Sequence, residues 1–304
     1  MTSPLLNAVD NGAALNLGDS LYYAAILGTH PSKGARSPVL WNAAFKNLGI
    51  DAQMHPMDVT AENLPFVIDE LKKDPRFIGG AVTTPHKQTI SSLLDALEEE
   101  AELIGAVNAL YRKDGKLVGA NTDGAAALKS LEAHAGSIHG KTVLLLGLGG
   151  AGRAVGIYLA RAIGKEGKLL LSNRTIDVAQ NVQEKTASFC PTTVIPWPVD
   201  AITLSQSDIL INATTIGFAG SGQEDFSPID ATLMLSLRPT SFVFDLIYQP
   251  LESPLLRLAR TRGAQTINGK EMNLEQAIIA FEKAARGVGQ QVPEGSVKPL
   301  MQSV

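Results

Sequence analysis

Lys141-Thr142-Val143-Leu144-Leu145-Leu146-Gly147-Leu148-Gly149-Gly150-Ala151-Gly152-Arg153-Ala154 decides the fold of this chain. From Thr142 to Leu146 every residue is apolar or β-branched. Such a run reads as a strand buried on both faces of a parallel sheet. Gly147, Gly149 and Gly152 follow in Gly-x-Gly-x-x-Gly spacing, and an apolar helical stretch runs from Arg153 to Ile163. Strand, glycine turn and helix in that order are the context of a dinucleotide-binding fingerprint. Gly147 permits the tight turn, Gly149 lets the backbone approach a pyrophosphate, and Gly152 lets the helix pack close to its strand. The helix start offers unpaired N–H groups and a partial positive charge to that anion.

The strand and helix pattern extends in both directions from this centre. Upstream, Leu21–Gly28, Gln53–Val59 and Phe77–Val82 read as strands. Ser37-Pro38 opens a helix to Leu48 with Ser37 as its cap, and Ala61–Lys72 is a second helix. Thr84-Pro85 predicts a third helix by the same logic. Asp114-Gly115 predicts a hairpin between Ala106–Tyr111 and Lys116–Gly119. Downstream, Lys168–Ser172, Asp208–Asn212 and Phe242–Leu246 are strands, Ile176–Ala187 and Ser253–Thr261 are helices, and Met272–Arg286 is the last long helix. Alternating strands and helices predict an α/β fold in two domains. One is an N-terminal α/β substrate domain with a mainly parallel sheet, residues 1–123 plus 270–304. The other is a Rossmann-type, doubly wound nucleotide-binding domain, residues 124–269.

Composition narrows the function. The chain has 304 residues, 45% hydrophobic and 18% charged, with a net charge of −4. No basic block marks a nucleic-acid or anionic-membrane partner. Cys190 is the only cysteine, so no intrachain disulfide forms. No apolar run approaches the ~20 residues that span a bilayer. The first twenty residues carry no basic leader and read as an extension ahead of the first strand. The expectation is a cytoplasmic protein, monomer or homodimer, with no metal; a small-molecule substrate is implied only by the family resemblance that the motifs carry.

The second strand of a dinucleotide fold ends at the adenosine ribose, where an acid selects NAD and an arginine accommodates the 2′-phosphate of NADP. Here it ends Leu171-Ser172-Asn173-Arg174-Thr175, with no carboxylate at the tip. Arg174 can stack on adenine or fork to a phosphate, and Asn173 and Thr175 add neutral hydrogen-bonding groups. The cofactor expected is NADP, with NAD possible because Asp177 lies just beyond. Two other stretches carry reactive side chains: Gly79-Gly80-Ala81-Val82-Thr83-Thr84-Pro85-His86-Lys87 at a strand end, and Asn121-Thr122-Asp123-Gly124 at the domain junction. A lysine and an aspartate brought together can pass a proton to or from an alcohol.

In this order the segments resemble the shikimate dehydrogenase family. The matching residues are Ser37-Pro38 with Asn42, Val82-Thr83-x-Pro85-x-Lys87, Gly105-Ala106-Val107-Asn108, Asn121-Thr122-Asp123-Gly124, the glycine fingerprint, Asn173-Arg174-Thr175, Ile211-Asn212-Ala213-Thr214, Tyr248-Gln249 and Gly269-x-x-Met272-x-x-x-Gln276. They run from about residue 22 to the last helix. The resemblance implies hydride transfer between NADP(H) and shikimate or 3-dehydroshikimate, a step of aromatic amino acid biosynthesis. It implies that Lys87 and Asp123 are the catalytic pair, with Lys87 the acid/base at the reacting oxygen. Asn108 and Asp123 would bond the ring hydroxyls, with Thr83 and Gln276 beside them. Ser37 and Tyr248 would hold the substrate carboxylate. Gly147, Gly149, Gly150, Ala151 and Gly152 would cradle the pyrophosphate, with Asn173, Arg174 and Thr175 at the ribose. Gly269, Met272 and Leu246 would border the nicotinamide.

The chain departs from the family pattern at several positions. Ala35 stands where the first of two carboxylate-binding serines is usual, and the loop before it is one residue longer. Trp41 replaces a histidine, Ala81 an asparagine, and Asn273 an apolar residue. His30, Ser32 and Arg36 are candidates to replace the lost hydroxyl. Alternatives are a dehydrogenase of quinate or an amino-substituted analogue, or a non-catalytic nucleotide sensor on the same fold. Retention of Lys87 and Asp123 argues against the sensor.

Overall fold

The computed structural model describes residues 4–304. Residues 1–3, the start of the expected extension, lie outside the described residues. The chain forms two compact units. One comprises the described residues up to Thr122 with Leu274–Val304, and the other Asp123–Asn273.

The first unit holds β1 (Tyr22–Gly28), β2 (Ala52–Asp58), β3 (Phe77–Val82), β4 (Ala96–Leu97), β5 (Ala109–Lys113) and β6 (Lys116–Ala120). They form one sheet in the order β2-β1-β3-β5-β6-β4. β1 pairs parallel with β2 and β3, and β4 pairs parallel with β6. β5 runs antiparallel to β3 and β6. The β5–β6 hairpin turns where the sequence predicts, on Asp114 and Gly115 with φ of 52° and 76°. The stretch ahead of β1 is built into this unit, with Leu5 and Val9 buried in its core.

The helix Ser37–Leu48 is stapled to β2 by Asn42, whose amide accepts from Met54 N–H at 2.7 Å and donates to Met54 C=O at 3.2 Å. Ser37 is the first helical residue and not the cap; the residue before it, Arg36, supplies the carbonyl that receives Leu40 N–H at 3.1 Å. No α-helix opens at Thr84-Pro85. Val107 N–H takes the Lys87 carbonyl at 2.7 Å, so that carbonyl is withdrawn from a helical ladder. The chain reaches only a 3-10 turn at Thr89–Leu93.

The second unit holds β7 (Thr142–Leu146), β8 (Lys168–Ser172), β9 (Thr192–Ile195), β10 (Ile209–Asn212), β11 (Phe242–Asp245) and β12 (Gln265–Ile267). The sheet is parallel throughout, in the order β12-β11-β10-β7-β8-β9. Strand order reverses between β7 and β10, and ligands of such sheets bind at the carboxyl ends beside that point. The helix Lys270–Gly287 starts in this unit, and its residues from Leu274 belong to the first. Among the described residues no helix is long and apolar enough to cross a membrane.

The end of the helix Leu64–Lys73 is secured from another element. The Arg112 guanidinium on β5 donates to the carbonyls of Leu71 (2.9 Å), Lys72 (2.9 Å), Asp74 (3.0 Å) and Phe77 (3.0 Å). The Leu71 and Lys72 carbonyls lie in the last helical turn, where intrahelical donors run out, and a cation complements the negative helix end. Arg112→Leu is expected to destabilise the protein by roughly 3 kcal/mol, the scale of charge-assisted bonds lost together. Arg112→Lys should recover only part, because an ammonium lacks the planar fork. Urea unfolding midpoints check both.

Candidate functional site

The residues implicated by sequence fall into two clusters, one in each unit. In the first unit the carboxyl end of β3 leads into Thr83, whose N–H bonds Leu27 C=O at 2.9 Å and whose carbonyl accepts from His86 N–H at 3.0 Å. His86 is fully buried, with Nε2 2.7 Å from the Val59 carbonyl, and so anchors the turn that carries Lys87. Lys87 itself is half-buried. Val82 N–H donates to Asn108 C=O at 2.8 Å, and Val107 N–H to Lys87 C=O at 2.7 Å, so Asn108 is tied to the same strand end. Asn108 is buried and its side chain pairs with Thr122: Nδ2 donates to Oγ1 at 3.0 Å, and Oδ1 accepts Thr122 N–H at 2.8 Å. Thr122 Oγ1 also lies 3.1 Å from the Gln276 carbonyl. Thr83, Lys87, Asn108 and Gln276 are thus joined by one continuous set of bonds.

Ser37 begins its helix half-buried. Of the groups considered as replacements for the lost serine hydroxyl, Ser32 is already engaged, its N–H on Asp58 Oδ1 at 2.9 Å and its hydroxyl on Oδ2. Arg36 is exposed and reaches the Val304 carbonyl at 3.4 Å. His30 is exposed and makes no side-chain cap bond.

In the second unit the carboxyl ends of β7, β8 and β10 enclose a cavity of about 340 Å³. Gly147, Gly149, Asn173 and Arg174 line it. Gly147 has φ 85°, and a Cβ on Gly152 would stand 2.1 Å from the Gly147 carbonyl oxygen, so the helix Gly150–Ile163 can start here only without a side chain. A Cβ on Gly149 or Gly150 would meet nothing within 4 Å, so this rim is open, as a pyrophosphate cradle needs. Ala151 follows, half-buried in the first turn. Asn173 holds the turn in place: its Oδ1 accepts Leu148 N–H at 3.0 Å, and its Nδ2 donates to Thr175 C=O at 2.9 Å. Arg174 and Thr175 are exposed at the tip of β8. Asp177 is exposed on the following helix and is not part of the cavity wall. Arg153, Trp197 and Gln223 line the cavity without belonging to any motif singled out by sequence.

Beyond β11 a second group assembles. Gly269 N–H donates to Ile247 C=O at 2.9 Å, and a Cβ on Gly269 would stand 1.9 Å from the Leu246 carbonyl oxygen. This close approach brings Leu246 and Gly269 side by side; Met272 is buried nearby in sequence, and Tyr248 packs edge-on against Phe218 at 6.1 Å.

Asp245, at the end of β11, organises this group. It is fully buried, its Oδ1 accepting from Asn212 Nδ2 (3.0 Å) and Ile247 N–H (3.1 Å) and its Oδ2 from Ser253 Oγ. Asn212 Oδ1 in turn accepts Thr214 N–H (3.0 Å) and Thr214 Oγ1 (2.7 Å). Ser253 caps the helix Pro254–Thr261. One carboxylate therefore ties the cavity loop, the Tyr248 loop and a helix start. No motif flagged it, because its link to Asn212 spans two strands that lie 33 residues apart in the chain.

The fold and the two clusters define an α/β protein that pairs a dinucleotide-type sheet with a second α/β unit carrying a lysine-bearing turn. The family sequence model for the shikimate dehydrogenase substrate binding domain matches residues 27–110. The chain is 39% identical to the shikimate dehydrogenase (NADP(+)) of Methanocaldococcus jannaschii, over 83% of this chain and 88% of the relative. It is 35% identical to that of Alkaliphilus oremlandii, over 87% and 91%. It aligns with the crystal structure of the Listeria monocytogenes shikimate 5-dehydrogenase in complex with shikimate and NAD at a TM-score of 0.83 and 29% identity, over 95% of this chain and 98% of that one. The chain belongs to the shikimate dehydrogenase family.

Burial pushes the Asp245 carboxyl up from 3.8 to about 6, against the opposing pull of its bonds to Ser253, Ile247 and Asn212. Folded Asp245 therefore keeps its proton to higher pH than the unfolded chain does. Its contribution to stability is full below the unfolded value of 3.8 and is lost as pH rises through about 6. The loss is expected to total roughly 3 kcal/mol. Asp245→Asn keeps an acceptor for Asn212 and Ile247 and donates to Ser253, so it should flatten this segment of the stability–pH curve. Asp245→Ala should destabilise at every pH by leaving buried donors unpaired. Denaturant titrations across this range compare the three proteins.

Proposed function

We propose that this protein is an NADP-dependent shikimate dehydrogenase, transferring hydride between NADP(H) and shikimate or 3-dehydroshikimate. The observation that carries this reading is the bonded set Thr83–Lys87–Asn108–Thr122–Gln276 in one unit, together with a dinucleotide cavity in the other that has Arg174 and no carboxylate in its wall. The first unit holds most of the residues assigned to the substrate, and the second holds the nucleotide cavity together with Asp123 and Tyr248, in keeping with the NADP(+) in the relatives' names.

Bound NADPH supplies the hydride. Lys87 passes a proton to the substrate oxygen during reduction and takes it back during oxidation. Asp123, buried at the start of the helix Asp123–Ala135, and Asn108 orient ring hydroxyls. Ser37 and Tyr248 hold the carboxylate, with Thr83 and Gln276 beside the ring. The open rim at Gly149, Gly150 and Ala151 and the first turn beyond Gly152 receive the pyrophosphate. Asn173 and Thr175 shape the ribose end. Leu246, Gly269 and Met272 border the nicotinamide.

A second reading, a dehydrogenase of quinate or an amino-substituted analogue, is favoured by one observation. Ala35 packs on the apolar core and Ser32 is held by Asp58, so the carboxylate contact of the family is altered. Rates with shikimate, quinate and amino-shikimate, each with NADP and NAD, decide between them. Turnover fastest with shikimate and NADP supports the proposal; turnover fastest with either analogue supports the second reading.

Lys87→Ala is expected to lower kcat by ~10²–10⁴, the usual worth of general acid–base catalysis, with KM for shikimate little changed. Asp123→Asn should lower kcat and raise KM, and the two defects should not add: the double variant should be little worse than the worse single one, because the residues work as a unit. Near-normal turnover in Lys87→Ala would remove the assignment. Arg174→Ala is expected to raise KM for NADP by roughly tenfold or more while that for NAD changes little, the scale of one charge-assisted phosphate contact. Equal changes for both nucleotides would assign the selectivity elsewhere.

A further inference from the structure

The nucleotide cavity has a wall that the proposed function does not use. β9 pairs with β8 in the register Ser172↔Ile195, so Arg174 and Trp197 stand at matching positions just past two neighbouring strand ends. Ser172 Oγ ties the two ends together by donating to the Pro196 carbonyl at 3.0 Å. Both Arg174 and Trp197 line the same cavity, with Val178 between them in sequence. Trp197 is half-buried, packed against the apolar cluster that includes Leu170 and Leu204. It is therefore a braced aromatic side chain, and no other aromatic residue lines this cavity among the described residues.

We infer that the indole of Trp197 is the stacking surface for the adenine of the dinucleotide, which leaves the Arg174 guanidinium for the 2′-phosphate. In a parallel sheet of this order the phosphates sit at the β7 end, marked here by the open glycine rim, and the adenosine extends toward β8 and β9. Trp197 is at the end of β9. A braced indole offers a large apolar π face at little entropic cost, matching a purine. The cavity wall carries Arg153 and Arg174 but no acid, so charge favours phosphates and the flat base needs a neutral partner. This inference rests on the NADP reading and divides the labour within it. Trp197 serves NADP and NAD alike, whereas Arg174 serves NADP alone.

The test uses the full-length protein, which has two tryptophans, Trp41 and Trp197. In a Trp41→Phe background Trp197 is the sole indole emitter, and adenosine 2′,5′-bisphosphate is the probe. Saturation with that probe should quench the emission, as base contact requires. Trp197→Ala should weaken NADP, NAD and the probe by similar factors, roughly 5- to 100-fold, the range of one base–aromatic stack. Nicotinamide mononucleotide binding and kcat at saturation should not change. Trp197→Phe should restore most of the affinity, which a merely space-filling or fold-supporting role for the indole would not produce with such selectivity. Unquenched emission at saturation, or unchanged probe affinity in Trp197→Ala, overturns the inference while leaving the NADP reading in place. A wild-type protein that binds neither NADP nor the probe overturns both.

Discussion

A single steric contact sets the geometry of the nucleotide unit. The helix Gly150–Ile163 begins where a Cβ on Gly152 would lie 2.1 Å from the Gly147 carbonyl oxygen. No side chain fits there, so only glycine lets the helix start close against the end of β7. The helix start, flanked by the cavity-lining residues Gly149 and Arg153, then lies at the point where strand order reverses, and its first-turn N–H groups have no intrahelical acceptor. Asn173 keeps the intervening turn in place by accepting from Leu148. Asp245 does the corresponding work for the other half of the sheet, where its two oxygens join the ends of β10 and β11 to the helix that Ser253 caps. One half is organised by the absence of a side chain and the other by a buried charge. Both produce loops whose positions are set by bonds to the sheet.

The substrate unit uses neutral amides for the same purpose. Asn42 reads the Met54 peptide with both ends of its side chain, and Asn108 accepts the Thr122 N–H and donates to the Thr122 hydroxyl. Asn121, also buried, donates to the Ala106 carbonyl at 3.0 Å. Each amide mimics a peptide group and satisfies backbone that the sheet leaves unpaired. Burying neutral amides avoids the desolvation cost that a charge would carry. The turn that carries Lys87 is itself held by backbone bonds, with His86 C=O accepting Ile90 N–H at 3.0 Å and Lys87 C=O accepting Val107 N–H at 2.7 Å.

What was legible in the sequence follows the range of the forces involved. β7 and β8 announce themselves because Val143–Leu146 and Leu169–Leu171 are continuously apolar and buried. The glycine spacing is legible because its cause is local sterics. β9 and β12 escaped notice because they are short sheet-edge strands with half-exposed residues and no clear alternation. The helix expected at Thr84-Pro85 failed for a nonlocal reason: Val107, remote in sequence, removes the Lys87 carbonyl. Trp197 and Asp245 lay outside every motif because their roles arise only when strand ends are placed side by side. Residues that act through the backbone near them can be read from sequence; those that act across the sheet cannot.

Three of the departures from the family pattern share one physical setting. Ala35, Trp41 and Ala81 stand where polar residues are usual, and all three join the same apolar cluster of the substrate unit. Trp41 is fully buried there, edge-on to Phe45 at 6.0 Å and to Phe281 at 5.3 Å. A polar group in such surroundings without a partner costs about 1–3 kcal/mol, whereas replacing mutually bonded polar groups together by apolar ones is nearly neutral. Three changes toward apolar character in one cluster are therefore a coherent set, not independent losses. The Ser32–Asp58 pair supports this, because it fastens the adjoining loop to the end of β2 without a hydroxyl at position 35. At these three positions the residues of this chain serve the packing of a single core in the first unit, so a polar side chain returned to any one of them would need a partner that this cluster does not offer.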